Sequence, residues 1–272
     1  MKKYIILLSI FFAYHNVNSQ DWQWQNPLPQ GNRLISVYFI DSLIGFAVGD
    51  MGTIIKTNNS GANWNVLLSG TTYYLKSVYF TDVNTGYSVV DNGTILKTID
   101  GGTTWTSLPS GTSYSLNSVY FTDANNGCAV GEYGTVLKTN NGGISWTAIL
   151  IGSLCDLNSV YFTDANTGYM ATSFGTVLKT NDGGVTWITL STGTSKSLYS
   201  ICFPDVNSGY AAGYFGTIVK TTNGGNSWSV LPCGTDVTLT SVYFTNPNTG
   251  YVTGSLGTIL KTTDGGSMSY IQ

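Results

Sequence analysis

The 272-residue chain contains one histidine, His15, one arginine, Arg33, and one glutamate, Glu132. His15 falls in an N-terminal leader, so the mature chain has no imidazole. That excludes Ser-His-Asp and Cys-His relays and every His-ligated metal site. Carboxylates are what remains for chemistry. Asp50, Asp91 and Glu132 occupy equivalent turns one repeat apart. A facing pair of such acids is what acid–base hydrolysis of a glycoside requires. Their turns carry no insertion that would build a cleft, and no hydrolysis is expected. The cysteines Cys128, Cys155, Cys202 and Cys233 are 27, 47 and 31 residues apart, which fits no zinc pattern. Cys128 and Cys202 stand where sister repeats carry aromatics, as buried thiols do; any disulfide pairing stays open. No ligand spacing for calcium is present, and neither a cofactor nor a metal is expected.

Charged residues make up 9% of the chain, with 11 basic against 14 acidic. Loss of Lys2 and Lys3 with the leader leaves 9 basic residues. An acidic chain poor in cations attracts neither nucleic acid nor an anionic membrane. Seven Trp, 18 Tyr and 11 Phe supply ample apolar surface for a core. Met1-Lys2-Lys3, the apolar run Tyr4 to Ala13 and the small residues before position 20 read as a signal peptide, residues 1–19, cut near Ser19. Ten apolar residues are too few for a bilayer, which needs roughly 20. The expectation is an exported protein, secreted, periplasmic or at the cell surface, with no membrane insertion and a single domain over 20–272.

The elements that must position these residues are set by one period. Gly-Thr recurs at Gly52, Gly93, Gly134, Gly175, Gly216 and Gly257, a step of 41 residues each time. Lys56, Lys97, Lys138, Lys179, Lys220 and Lys261 keep the step, as do Trp64, Trp105, Trp146, Trp187 and Trp228. Within one copy, Ser77 to Phe80, Tyr87 to Val90, Thr94 to Thr98 and Trp105 to Leu108 are β-prone runs separated by Asp-, Asn- and Gly-rich turns. Four short strands per 41 residues is the size of a propeller blade; a solenoid is the other architecture to weigh. The expected fold is all-β, a six-bladed β-propeller of four-stranded blades. In the sixth copy the Trp position is Ser269. A strand over Trp24 to Leu28 is therefore expected to complete that blade and close the ring, with Pro27 and Pro29 tolerated on an outermost edge. If the C-terminus is truncated, the count becomes seven.

The turn Thr98-Ile-Asp100-Gly-Gly102-Thr-Thr-Trp105, repeated around Asp182 and Trp187, resembles the Asp-box of bacterial neuraminidase repeats. Asn59, Asn141 and Asn223 replace its Asp, and the sixth copy keeps Asp264 without the Trp. The longer string Gly-Thr-Ile-Leu-Lys-Thr-x-Asp-Gly-Gly-x-Thr-Trp resembles the photosystem II assembly/stability factor-like propellers, over nearly all of residues 24 to 266. That resemblance implies a propeller fold and a non-catalytic binding or assembly role. The photosynthetic members carry an arginine patch, and a lone Arg33 cannot make one. Nor can it make the arginine triad of a sialidase.

The Asp-box residues Asp100, Trp105, Asp182, Trp187 and Asp264 are expected to be structural, because a turn in which Asn substitutes freely is an Asx turn rather than a ligand site. The six Lys are expected to be solvated heads over apolar stems, paired with Asp41, Asp82, Asp123, Asp164 or Asp205. Specificity is sought where the repeats differ. The second-to-third-strand turns and the connections between blades open on one face. The candidate binding residues there are Asp50, Asp91, Glu132, Tyr133, Phe174, Tyr214, Phe215, Tyr73 and Tyr74. Exposed aromatics on such a face suit a protein or a polysaccharide; the competing reading is that they plug the central channel. Three functions follow: an exported, monomeric protein- or glycan-binding module, an Asp-box glycoside hydrolase, or a structural spacer of a surface assembly.

Overall fold

The computed structural model describes residues 31–266. The leader, its cut near Ser19, the strand at 24–28 and Ser269 lie outside the described residues. Six antiparallel sheets follow one another along the chain, five of four strands and the last of three. In the second, the inner strand is Leu75–Phe80, followed by Gly86–Val90, Ile95–Thr98 and the outer strand Thr106–Leu108. In the sixth, Leu239–Phe244, Gly250–Gly254 and Ile259–Thr262 are present, and among the described residues no strand pairs with the outer edge of Ile259–Thr262. The architecture is thus a six-bladed propeller.

In blades two to six the inner strand begins two residues before the Ser of the repeat, because the preceding Leu is apolar and buried (Leu75, Leu116, Leu157, Leu198, Leu239). A bulge between that Leu and the Ser lets both take part in pairing. The second strand is buried on both faces, between neighbouring blades. It opens on glycine because the phenylalanine ending the inner strand lies across it. A Cβ on Gly86 would come within 2.5 Å of the Phe80 ring.

The Ser-Val-Tyr-Phe run is explained by contacts to the next blade. Ser77 Oγ accepts the Val119 N–H at 3.4 Å, and Tyr79 Oη donates to the Phe121 carbonyl at 2.8 Å. The tyrosines lie tilted against one another along the inner strands, with ring centroids 5.0 Å apart for Tyr38–Tyr79 and Tyr79–Tyr120. Burial pushes the Tyr120 phenol above its ordinary value. Val and Phe enter apolar clusters shared by adjacent blades, such as Phe46, Val48 and Ile54 with Leu75, Val78 and Phe80. Cys202 stands in the tyrosine row and Cys128 in the row of Tyr87. Both thiols are buried, which pushes each up to about 12, and the four cysteines are unpaired.

The lysines do something other than expected. Lys97 Nζ donates to the Gly142 carbonyl of the next blade at 2.6 Å and lies 5.4 Å from the Tyr87 ring centroid. Lys56, Lys179 and Lys220 do the same to Gly101, Gly224 and Gly265. No lysine pairs with an aspartate among the described residues, where the one ion pair is Arg33–Asp50. The acids Asp82 and Asp164 instead accept N–H groups within their own turns. Burial raises the Asp82 carboxyl, but the N–H groups of Asn84 and Thr85 outweigh it and hold the carboxyl below its ordinary value.

Ring closure between the sixth and first blades is absent from the described residues. Val37 and Phe39 of the first blade are 62% and 43% exposed, against 4% and 2% for Val78 and Phe80 at the same positions of the second. On the facing side Tyr243 and Ile259 are 66% and 51% exposed.

Candidate functional site

The two ends of the sheets are built differently. At one end the Asp-box turn folds on its own side chains. Thr98 Oγ1 donates to Asp100 Oδ1 at 2.8 Å and accepts the Gly102 N–H at 2.9 Å; Asp100 also takes the N–H and hydroxyl of Thr104 at 2.9 and 2.7 Å. The Thr104 backbone N–H is the largest cause holding the Asp100 carboxyl down at about 2, with the Thr104 and Thr98 hydroxyls adding to it. Asp182 repeats the pattern with Thr180 and Thr186. Asn59 makes the equivalent bonds to Thr57 and Asn63, so the turn needs an acceptor oxygen rather than a charge. Asp264 accepts from Thr262 and Gly266. Trp105 and Trp187 stand edge-on to Phe80 and Phe162, centroids 6.0 Å apart. The side-chain oxygens of Thr98 and Asp100 are thus engaged in holding the turn.

The other end carries the variable residues. Backbone bonds tie each second-to-third-strand turn to the connection between blades: Asp91 N–H to the Tyr74 carbonyl, Glu132 N–H to Ser115, Tyr214 N–H to Ser197. The expected single face is therefore real, and Asp50, Asp91, Glu132, Tyr133, Phe174, Tyr214, Phe215, Tyr73 and Tyr74 all lie on it. The carboxylates are partly engaged. Asp50 is gripped by Arg33 through Nε and Nη2, each at 3.2 Å, and Asp91 accepts the Tyr74 N–H at 3.2 Å.

The aromatics are solvent-facing. Tyr133, Phe174, Tyr214 and Phe215 are 50–66% exposed, which is not the burial of a channel plug. Tyr133 lies against Tyr114, centroids 4.9 Å apart, and Lys196 Nζ sits 4.5 Å from the Phe215 centroid.

One feature of this face escaped the sequence reading. The middle residue of the turn, at the 41-residue step, is Met51, Asn92, Tyr133, Phe174, Phe215 and Leu256. Five of the six are large and apolar, and all five are exposed, Met51 by 59% and Leu256 by 92%. Met51, Tyr133, Phe215 and Leu256 hold φ of 52–57°, a left-handed conformation that costs a residue with a Cβ about 1–2 kcal/mol. Asn or Gly would suit the turn better. The signal was available: a bulky residue at a place where the turn calls for Asn or Gly.

Among the described residues no group of His, Cys, Asp and Glu could hold a metal ion, and no helix is long and apolar enough to cross a membrane.

Blades of this design, with Asp-box turns at one end and variable loops at the other, define an Asp-box β-propeller. The photosystem II assembly factor YCF48 family matches residues 62–191 and 153–236, more than half of the chain, and the chain belongs to that family. No curated protein matches it. Among solved structures it is similar to YCF48 bound to a D1 peptide, at 21% identity and a TM-score of 0.71, covering 87% of this chain and 80% of that one. YCF48 from Cyanidioschyzon merolae gives 18% identity and 0.60, over 87% and 97%. A GH74 xyloglucanase from Xanthomonas campestris gives 13% and 0.70, over 87% of this chain and 45% of the enzyme. At such identities these likenesses concern the fold.

Proposed function

We propose that this chain is a non-catalytic docking module that holds a polypeptide on its variable face, in an assembly role. The observation behind this is the exposed apolar side chain that five blades set at the middle of the same turn, most of them in a strained backbone conformation. A fold that keeps such strain on a solvent-facing surface keeps it for contact rather than for packing. Apolar anchors rimmed by charges are what a protein interface uses. Asp50, Asp91 and Glu132 stand on blades one to three and Lys196 on the fifth, so the occupant carries basic groups toward the first and apolar ones throughout. That a related propeller is bound to a peptide agrees with this.

The test is affinity capture with a paired bait. The chain and a variant carrying Tyr133→Ala, Phe174→Ala, Tyr214→Ala and Phe215→Ala are offered the same exported and envelope material. A polypeptide kept by the first and lost by the second supports the reading. Equal recovery of the same polypeptides by both refutes it, and a retained glycan moves the partner to polysaccharide. Turnover of an aryl glycoside that disappears in Asp91→Asn or Glu132→Gln would establish the hydrolase instead.

Two finer points belong to the same reading. The ring closes when residues 24–28 pair along the outer edge of Ile259–Thr262, drawing the exposed faces of blades one and six together. The protein is exported after removal of residues 1–19 and acts as a monomer. The N-terminal sequence of the exported protein and light scattering on it check both statements.

A further inference from the structure

Four of the five junctions between consecutive blades contain an indole. Trp105, Trp146, Trp187 and Trp228 each stand edge-on to the phenylalanine ending the inner strand of the same blade, centroids 5.9–6.0 Å apart. Each packs into the apolar cluster shared with the preceding blade. The junction of blades five and six has the same cluster, with Tyr210, Val242, Phe244 and Val252, and no indole among the described residues. The repeat position is Ser269. A cavity of about 290 Å³ lies there instead, walled by Leu231, Cys233, Phe244, Val252 and Leu260 and bordered by the outer strand edge at Lys261 and Thr262.

We propose that Trp24 fills this cavity, so that the N-terminal segment supplies the missing indole together with the missing strand. The inference rests on the ring closure proposed above and goes beyond it by naming the anchor. Leu28-Pro29-Gln30-Gly31 repeats Leu108-Pro109-Ser110-Gly111 and Leu231-Pro232-Cys233-Gly234. In both described copies that Leu ends an outer strand, and Leu108 sits opposite Ile95. The same register sets Leu28 opposite Ile259 and Pro27 opposite Leu260.

The proline agrees with it. At the equivalent place in blade three, Ile149 donates to the Val136 carbonyl at 2.9 Å. The Leu–Ile pair is therefore the hydrogen-bonded one, and the next pair, which Pro27 joins, needs no N–H. Trp24 then falls one residue before the place Trp105 holds. No Asp-box turn precedes it in the sequence, so no turn fixes that register to the residue. The link from Leu28 to Leu34 is six residues, against eight from Leu108 to Leu116. Six residues reach about 20 Å when extended.

The experiment uses the full chain labelled with 5-fluorotryptophan. Its fluorine resonances are assigned by Trp22→Phe and Trp24→Phe and compared in H2O and D2O. A companion chain carries Pro27→Cys with Leu260→Cys. We expect the Trp24 resonance to lose the solvent isotope shift that Trp22 retains, and to move on Leu231→Ala while Trp22 does not. A Trp24 that keeps the shift, in a chain whose 27–260 disulfide forms, overturns the anchor and leaves the closure standing. A solvent-exposed Trp24 with no such disulfide overturns both. A disulfide that joins two copies overturns the assignment of the segment to its own chain.

Discussion

Lys97→Met offers the sharpest test of what holds the blades together. The substitution keeps the apolar stem and removes the ammonium that bonds the Gly142 carbonyl and lies over Tyr87. A hydrogen bond from a charged donor contributes about 1.5–3 kcal/mol and an exposed cation–π contact about 0.5–1. Lys97 is part-exposed, so solvent screening favours the low end, a loss of about 1.5–2 kcal/mol. With a urea slope of roughly 3 kcal/mol per M for a domain of this size, the midpoint falls by about 0.5–0.7 M. The partners are a carbonyl and a ring rather than a carboxylate. The deficit should therefore persist in 1 M salt, where the Debye length is about 3 Å and an exposed ion pair is screened. Blade three supplies a comparison: Cys128 replaces the ring there and, among the described residues, Lys138 has neither the carbonyl bond nor the ring contact, so Lys138→Met should leave the midpoint nearly unchanged. Tyr87 Oη bonds the same Gly142 carbonyl at 2.8 Å, so Lys97→Met and Tyr87→Phe should be non-additive. Urea melts followed by circular dichroism decide the matter. An unchanged midpoint for Lys97→Met, or a deficit that vanishes in salt, would refute the reasoning.

Three further outcomes follow. Asp100 is held at about 2 in the folded chain, against about 3.9 unfolded. Its contribution is complete above pH 4 and is lost as pH falls through 2, so Asp100→Asn should flatten the loss of stability across that window, read from urea midpoints between pH 2 and 7. Gly86→Ala should destabilise by about 2–3 kcal/mol through overpacking, because the Phe80 ring it would strike is already stacked on Phe46 at 4.1 Å; thermal melts measure this. Phe215→Gly relieves a left-handed residue and should leave the fold unchanged or up to about 1 kcal/mol more stable, while partner capture is lost; a drop in stability would refute the strain.

The strands and their turns were legible because the repeat sets apolar alternation between Asp- and Gly-rich breaks, and four short strands per 41-residue step suit a propeller better than a solenoid. The ends of the strands were less so. Leu75 joins its strand across a bulge, which periodicity does not register. Trp105 leaves the outer strand because its ring turns inward onto Phe80. The lysines were misjudged for a plain reason: their acceptor is a backbone carbonyl in the following blade, and a carbonyl has no signature in a sequence. Of the variable face, the aromatic positions could be read by subtraction, as what differs between copies. Met51 and Leu256 emerge only when each is weighed against what its turn prefers, because their meaning lies in a backbone angle.

The tyrosine and lysine links between blades point one way along the chain. Tyr79 reaches 42 residues ahead and Lys56 reaches 45. No blade can satisfy its own tyrosine and lysine; each waits for its successor. Such contacts span no more than about one repeat and are alike at every step, which favours progressive, neighbour-by-neighbour assembly. A chain emerging N-terminus first would fasten each blade as the next arrives, like a zip drawn in one direction. Among the described residues, the first face and the last edge are the two that such a zip leaves unfastened.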